Sequence, residues 1–134
     1  MNKWHLKDFV SHTGRNQIAD WYELLSAQAR SDFDALIDIL EKKEDWSYPE
    51  YKDLKRKHKG VGEIRWKTEK TQHRVLGYSP SDHVFVLLIG CTHKMNIYNP
   101  PEALDTALER KKKVESGEAG TCDHETEIDF KAQE

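Results

Sequence analysis

The chain has two cysteines, Cys91 and Cys122, in 134 residues. That is too few for a disulfide scaffold, so an apolar core must stabilise the fold. Long hydrophobic runs are also missing. The longest, Val84 to Ile89, has six residues, against the ~20 needed to cross a bilayer. Met1 to Val10 holds no apolar stretch of the roughly 7–15 residues that a secretory leader carries. The expectation is therefore a cytoplasmic, reducing setting with no membrane partner.

What is present is an ordinary core and a heavily charged surface. Hydrophobic residues make up 37% and charged residues 34%, enough for one compact domain. The net charge of −3 conceals a division along the chain. From Lys52 to Arg74 nine Lys/Arg face three acids, giving +6. From Glu115 to the end seven acids face Lys131 alone, giving −6. A basic middle points to an anionic partner such as nucleic acid. The expected division is a folded domain over residues 1–116 and an acidic, mobile tail over 117–134, with the tail able to fold back on the basic stretch.

Periodicity supplies the elements. Trp4 to Val10 reads as a short first strand. Gly14-Arg15-Asn16 is a turn into a helix whose apolar face is Ile18, Trp21, Tyr22 and Leu25, spaced i, i+3, i+4, i+7. A second helix carries Phe33, Leu36, Ile37 and Leu40, with Ser31 as its expected N-cap, and ends in the charged run Glu41 to Asp45. Ser47 to Gly60 reads as a loop. Three strands follow, Glu63 to Thr68, His73 to Ser79 and Val84 to Ile89, with a turn at Ser79 to Asp82. The last is apolar on both faces, as a covered central strand should be. A final helix is expected from Asn99 as cap, Pro100 as first residue and Glu102 as third, ending near Gly117. The fold class is α+β: a three-strand antiparallel meander with two helices on one face.

This order of elements resembles the RelE/ParE toxin superfamily, in particular its HigB-like, phage-associated branch. The resemblance rests on Tyr48-Pro49-Glu50-Tyr51-Lys52-Asp53-Leu54-Lys55, Gly62-Glu63-Ile64-Arg65, His73-Arg74-Val75-Leu76 and Val84 to Ile89. The segment Pro101-Glu102-Ala103-Leu104, with Ala107-Leu108-Glu109-Arg110, completes it, and the whole spans about residues 15–115. The resemblance implies a RelE-like fold: a small antiparallel sheet, two N-terminal helices packed on it and a C-terminal helix. It implies the toxin of a toxin–antitoxin pair, an endoribonuclease that cleaves mRNA, on the ribosome or free, and is neutralised by a cognate antitoxin protein. By position, Arg65 and Arg74 match basic residues of the family's hairpin strands. His93 and Lys94 match the basic pair after the last strand. Two departures stand out. Glu63 occupies a position where the RelE nuclease has lysine, and Tyr98 is the nearest counterpart of its C-terminal tyrosine.

The residue types suit that chemistry. RNA can be cut without a metal or cofactor when its own 2′-hydroxyl attacks the adjacent phosphate. Such a site needs a base, an acid and cations around the phosphorane-like transition state. Arg65 and Arg74 are candidates for the cations, because guanidinium binds phosphate bidentately and stays charged. His73 and His93 are candidates for proton transfer, with Lys94 assisting. Lys55, Lys57, Lys59 and Lys67 are candidate phosphate contacts. Tyr98, Trp66 or Tyr78 could stack a base, although Trp66 and Trp21 also read as core. The repeated pattern Cys91-Thr92-His93 and Cys122-Asp123-His124 invites a zinc site, but structural zinc pairs use wider spacing, so no metal is expected. Two other functions fit the same sequence. One is a toxin of this fold that inhibits DNA gyrase or another protein. The other is a non-catalytic nucleic-acid-binding regulator.

Overall fold

The first helix forms where a polar cap meets an apolar stripe. Asn16 Oδ1 accepts from the Ala19 N–H at 2.9 Å and starts α1 (Gln17–Leu24). Only Leu25 and Ser26 separate it from α2 (Ala27–Lys42). Ser26 Oγ accepts from the Ala29 N–H at 3.1 Å, so Ser26 is the cap and Ser31, expected in that role, lies inside the helix. In α2, Phe33, Leu36, Ile37 and Leu40 form the buried stripe. Burying each such side chain contributes ~1.5–3 kcal/mol.

The computed structural model describes residues 2–126. Its strands are β1 (His5–Val10), β2 (Tyr51–Asp53), β3 (Gly62–Thr68), β4 (Thr71–Ser81), β5 (Val84–Lys94), β6 (Ile97–Asn99) and β7 (Gly120–Asp123). The third helix is α3 (Ala103–Ser116). The sheet order is β2-β3-β4-β5-β1-β7, with β6 paired to β5. The antiparallel meander β3-β4-β5 is as expected. The sheet as a whole is mixed rather than antiparallel, because β1 runs parallel to β5. That pairing brings the first strand of the chain beside the covered strand Val84 to Ile89, with α1, α2 and the strands β2, β3 and β4 in the connection between them.

Helices α1 and α2 cover one face of the sheet, where Leu6, Ile18, Phe33, Ile37, Ile64, Val75, Phe85 and Leu87 form one core. Trp21 packs so closely on β5 that a Cβ at Gly90 would enter its indole ring, which is why a glycine stands there. Helix α3 covers the other face, where Phe9, Val61, Leu76, Val86, Leu88, Ala103 and Ala107 form a second core. The small side chains at Ala103 and Ala107 let α3 lie close on the sheet.

Three local expectations change. The span 47–60 is not loop throughout, since it contains β2 and one turn of 3₁₀ helix at Arg56–His58. Asn99 does not cap α3. It is taken up by pairing with Thr92 in the β5–β6 hairpin, so the helix begins at Ala103, and Glu102 makes no capping hydrogen bond. The helix does end at Gly117, whose φ of 83° provides the left-handed cap that glycine adopts without strain. Beyond it, residues expected to belong to a tail join the sheet: β7 pairs with β1 in register Lys7↔Asp123 to Val10↔Gly120. His124 follows with its backbone N–H on Leu6 O at 3.0 Å. Its Nδ1 meets Asp8 Oδ1 at 2.8 Å, both side chains being at least 95% buried. The remainder of the expected tail, 127–134, lies outside the described residues.

Candidate active site

In an antiparallel ladder, residues opposite each other share a face. Arg65 on β3 is opposite Arg74 on β4, and Arg74 is opposite Cys91 on β5. The next rung holds Lys67, Gln72, His93 and, through β6, Tyr98. Two positions before Arg65, and so on the same face, is Glu63. Four strands thus converge on one face, beside the N-terminal end of α3.

Glu63 is at the centre and only 4% exposed. Its Oε2 accepts from the Tyr98 hydroxyl at 2.7 Å. Its Oε1 lies 3.4 Å from Arg65 Nε and 3.8 Å from Arg74 Nε. Arg74 is fastened by Nη1 donating to His73 O at 2.9 Å and Nη2 donating to Gln72 Oε1 at 3.0 Å. The Nε–H groups of both arginines are buried without a hydrogen-bond partner among the described residues. Two guanidiniums face each other with one carboxylate between them, leaving a local excess of one positive charge. His93 meets Tyr98 edge to face, with ring centroids 4.8 Å apart.

The surroundings bias protonation. Burial lowers the His93 pKa below the usual 6.5, and the positive charge of Arg74 adds to this, so the imidazole is neutral near pH 7 and can accept a proton. Burial, helped by the hydrogen bond to Glu63, raises the Tyr98 pKa well above 10, so the phenol keeps its proton. Burial pushes the Cys91 thiol up to about 12, with Glu63 adding to the effect. Cys91 is therefore an inert thiol rather than a nucleophile.

Arg65, Arg74, His93 and Tyr98 lie together on this face, and Lys67 flanks them. His73 does not join them. Neighbours on a strand point to opposite faces, so His73, adjacent to Arg74, turns toward α1 and α2 and stacks on Trp66 at 4.9 Å. Lys94, adjacent to His93, is excluded for the same reason and is exposed beside Met95, Ile97 and Asn99. Lys55, Lys57 and Lys59 are exposed on the β2–β3 connection, which His58 ties to α3 through a 3.3 Å contact with Asp105. Tyr78 is buried in the core under α3, which removes it as a stacking platform, while Trp66 packs against the other core with His73 stacked on it.

Glu63 is the residue that sequence reasoning undervalued. Its two-residue offset from Arg65 on an alternating strand was the available signal. The two Cys-x-His pairs do not meet: Cys91 is on β5 and Cys122 on β7, with β1 between them. Cys122 instead accepts from Asn16 Nδ2 at 3.4 Å. Residues 120–124 lie at the edge of the sheet opposite the basic β2–β3 edge. Among the described residues, no helix is long and apolar enough to cross a membrane. Compared with known proteins, the chain matches no family model, no curated protein and no solved structure.

Proposed function

We propose that this chain is an endoribonuclease of the RelE-like type, the toxin of a toxin–antitoxin pair, which cuts mRNA through attack of the 2′-hydroxyl on the adjacent phosphate. The observation that supports it best is the opposition of Arg65 and Arg74 across β3 and β4, with Glu63, Tyr98 and His93 around them. In this reading the two guanidiniums hold the phosphate and stabilise its growing negative charge. Neutral His93 takes the 2′ proton, and the Tyr98 hydroxyl, on releasing its hydrogen bond to Glu63, gives its proton to the departing 5′ oxygen. Glu63 orients Tyr98 and spaces the arginines. Lys67 and the lysines at 55, 57 and 59 hold flanking phosphates. The ribosome as platform and the antitoxin as partner come with the resemblance, and the cytoplasmic setting with the two cysteines and the short apolar runs. The RelE-like reading of the fold is supported by the meander, the helix pair on one face and the helix that follows.

A second reading, a nucleic-acid-binding domain without chemistry, is favoured by one observation. Glu63 already pairs by charge with both arginines, so part of their charge is met without a substrate. Primer extension on a defined mRNA in a bacterial translation extract separates the two. New 5′ ends with the wild type, absent with Arg74→Ala, support the nuclease, and repeating the reaction without ribosomes tests the platform. Intact mRNA in every lane, with RNA binding retained, supports the second reading.

A further inference from the structure

Tyr48 is a large aromatic left 71% exposed beside the candidate site, and the reaction proposed above gives it no task. Its exposure is not that of a loose loop. On either side, Trp46 and Tyr51 are packed, with ring centroids 5.4 Å apart and both within 6 Å of the Phe85 ring. The Tyr51 N–H donates to Ser47 O at 3.1 Å, and the Arg65 N–H donates to Glu50 O at 2.8 Å. The segment is thus pinned to β3 at the level of Arg65, with Tyr48 turned outward. The Arg65 guanidinium lies 5.2 Å from the centre of the Tyr48 ring, within cation–π range. An open groove of about 290 Å³ joins Tyr48, Glu50 and Gln72 to Arg65 and Arg74.

We propose that Tyr48, Glu50 and Gln72 form a subsite for one unpaired nucleobase of the RNA strand whose phosphate Arg65 and Arg74 hold, and that this subsite prefers guanine. The proposal rests on the RNA-cleaving reading above and adds a specificity pocket to it. An exposed aromatic next to a cationic groove is the arrangement that binds single-stranded nucleic acid, with the base stacked on the ring and the backbone tracked by the cations. One face of Tyr48 carries Arg65, and the base stacks on the other. Glu50 contributes a carboxylate, which only accepts hydrogen bonds. Guanine is the base whose pairing edge presents two adjacent donors, N1–H and N2–H, to such a group. Gln72 Oε1 is engaged by Arg74, which leaves the Gln72 amide N–H₂ to donate to the guanine acceptors O6 and N7.

The test uses 2′-O-methylated pentamers, which cannot be cut by 2′-hydroxyl attack. Each carries guanine, adenine, cytosine or uracil at the centre of a uridine background. Affinities for the wild type, Tyr48→Ala, Tyr48→Phe and Glu50→Gln are measured by fluorescence anisotropy. The guanine pentamer should bind the wild type tightest. Tyr48→Ala should weaken it roughly 5- to 160-fold, the range of one lost base–aromatic stack, while Tyr48→Phe retains it. Glu50→Gln should bring the guanine pentamer to within a few-fold of the others. Unchanged affinities in Tyr48→Ala overturn the subsite. An equal loss for all four bases leaves the stacking platform and overturns the guanine preference. Cleavage mapping on a defined mRNA keeps this apart from the nuclease reading. If the wild type and Tyr48→Ala cut at the same positions and rates, the subsite fails alone. If the wild type cuts nothing yet the guanine preference holds, the nuclease reading fails alone.

Discussion

The Tyr98 hydroxyl donates to Glu63 Oε2 at 2.7 Å, joining residues 35 positions apart. The bond exists because the β5–β6 hairpin folds Tyr98 back beside His93 on the face that β3 presents with Glu63. It ties the proposed proton donor to the carboxylate between the two arginines. Tyr98→Phe keeps the ring and removes only the hydroxyl. Cleavage should fall by about 10²–10⁴, the usual contribution of a positioned acid, with RNA affinity nearly unchanged. Single-turnover cleavage and binding of an uncleavable RNA, measured side by side, check both halves.

Arg74 is buried and aimed by two hydrogen bonds. Arg74→Ala should reduce cleavage by about 10²–10³, as loss of a preorganised transition-state donor does. Arg74→Lys should recover little, because an ammonium cannot make the planar fork. Equal activity of Lys and Arg at this position would count against a bidentate phosphate contact.

His93 must be neutral to act as the base, and its pKa is lowered by burial and by Arg74. The cleavage rate should therefore rise with pH, reach half its plateau below pH 6.5, and be flat across pH 7–8. Arg74→Ala removes one cause of the lowering, so any residual activity should have its midpoint at higher pH. A pH–rate profile of both proteins reads this directly.

His73, stacked on Trp66, also has a pKa lowered by burial, with Arg74 contributing. The folded state resists its protonation, so its contribution to stability is whole above the unfolded value of about 6.5 and is lost as pH falls toward the folded value. His73→Phe, which preserves the stack, should flatten the stability curve between pH 7 and pH 5. Urea titrations at several pH values measure it. Cleavage at pH 7.5 should be little changed, because His73 faces away from the site.

The buried pair Asp8–His124 ties the chain after β7 to β1. His124→Ala leaves the Asp8 carboxylate in the interior with Asn16 Nδ2 at 3.0 Å but without the imidazole. Losing a buried hydrogen bond to a carboxylate costs about 1.5–3 kcal/mol. Thermal unfolding should show that loss, and deleting residues 117–134 should destabilise the protein at least as much. A deletion with unchanged stability would mean that β7 adds nothing to the fold.

Much of the architecture was legible because it rests on local periods. The apolar series Ile18-Trp21-Tyr22-Leu25 and Phe33-Leu36-Ile37-Leu40 specify two amphipathic helices whatever lies around them. The alternation in Glu63 to Thr68 and the apolar run at Val84 to Ile89 specify a meander. Arg65 and Arg74 could be placed on neighbouring strands from that alone. The same alternation also contained the answer for His73 and Lys94, since a residue beside Arg74 or His93 on a strand must face the other way.

Tertiary structure decided what no local period encodes. Pairing of β1 with β5 made the sheet mixed, and pairing of β7 with β1 drew part of an acidic, tail-like segment into it. Both are contacts between distant residues, chosen by which edge was left open and which side chains could be buried together. The role of Glu63 was decided in the same way. In sequence it is an acid among basic residues. In the fold, the register of β3 on β4 and the return of β6 place Arg65, Arg74 and Tyr98 around its carboxylate. A buried charge is tolerable only where the chain brings such partners to it.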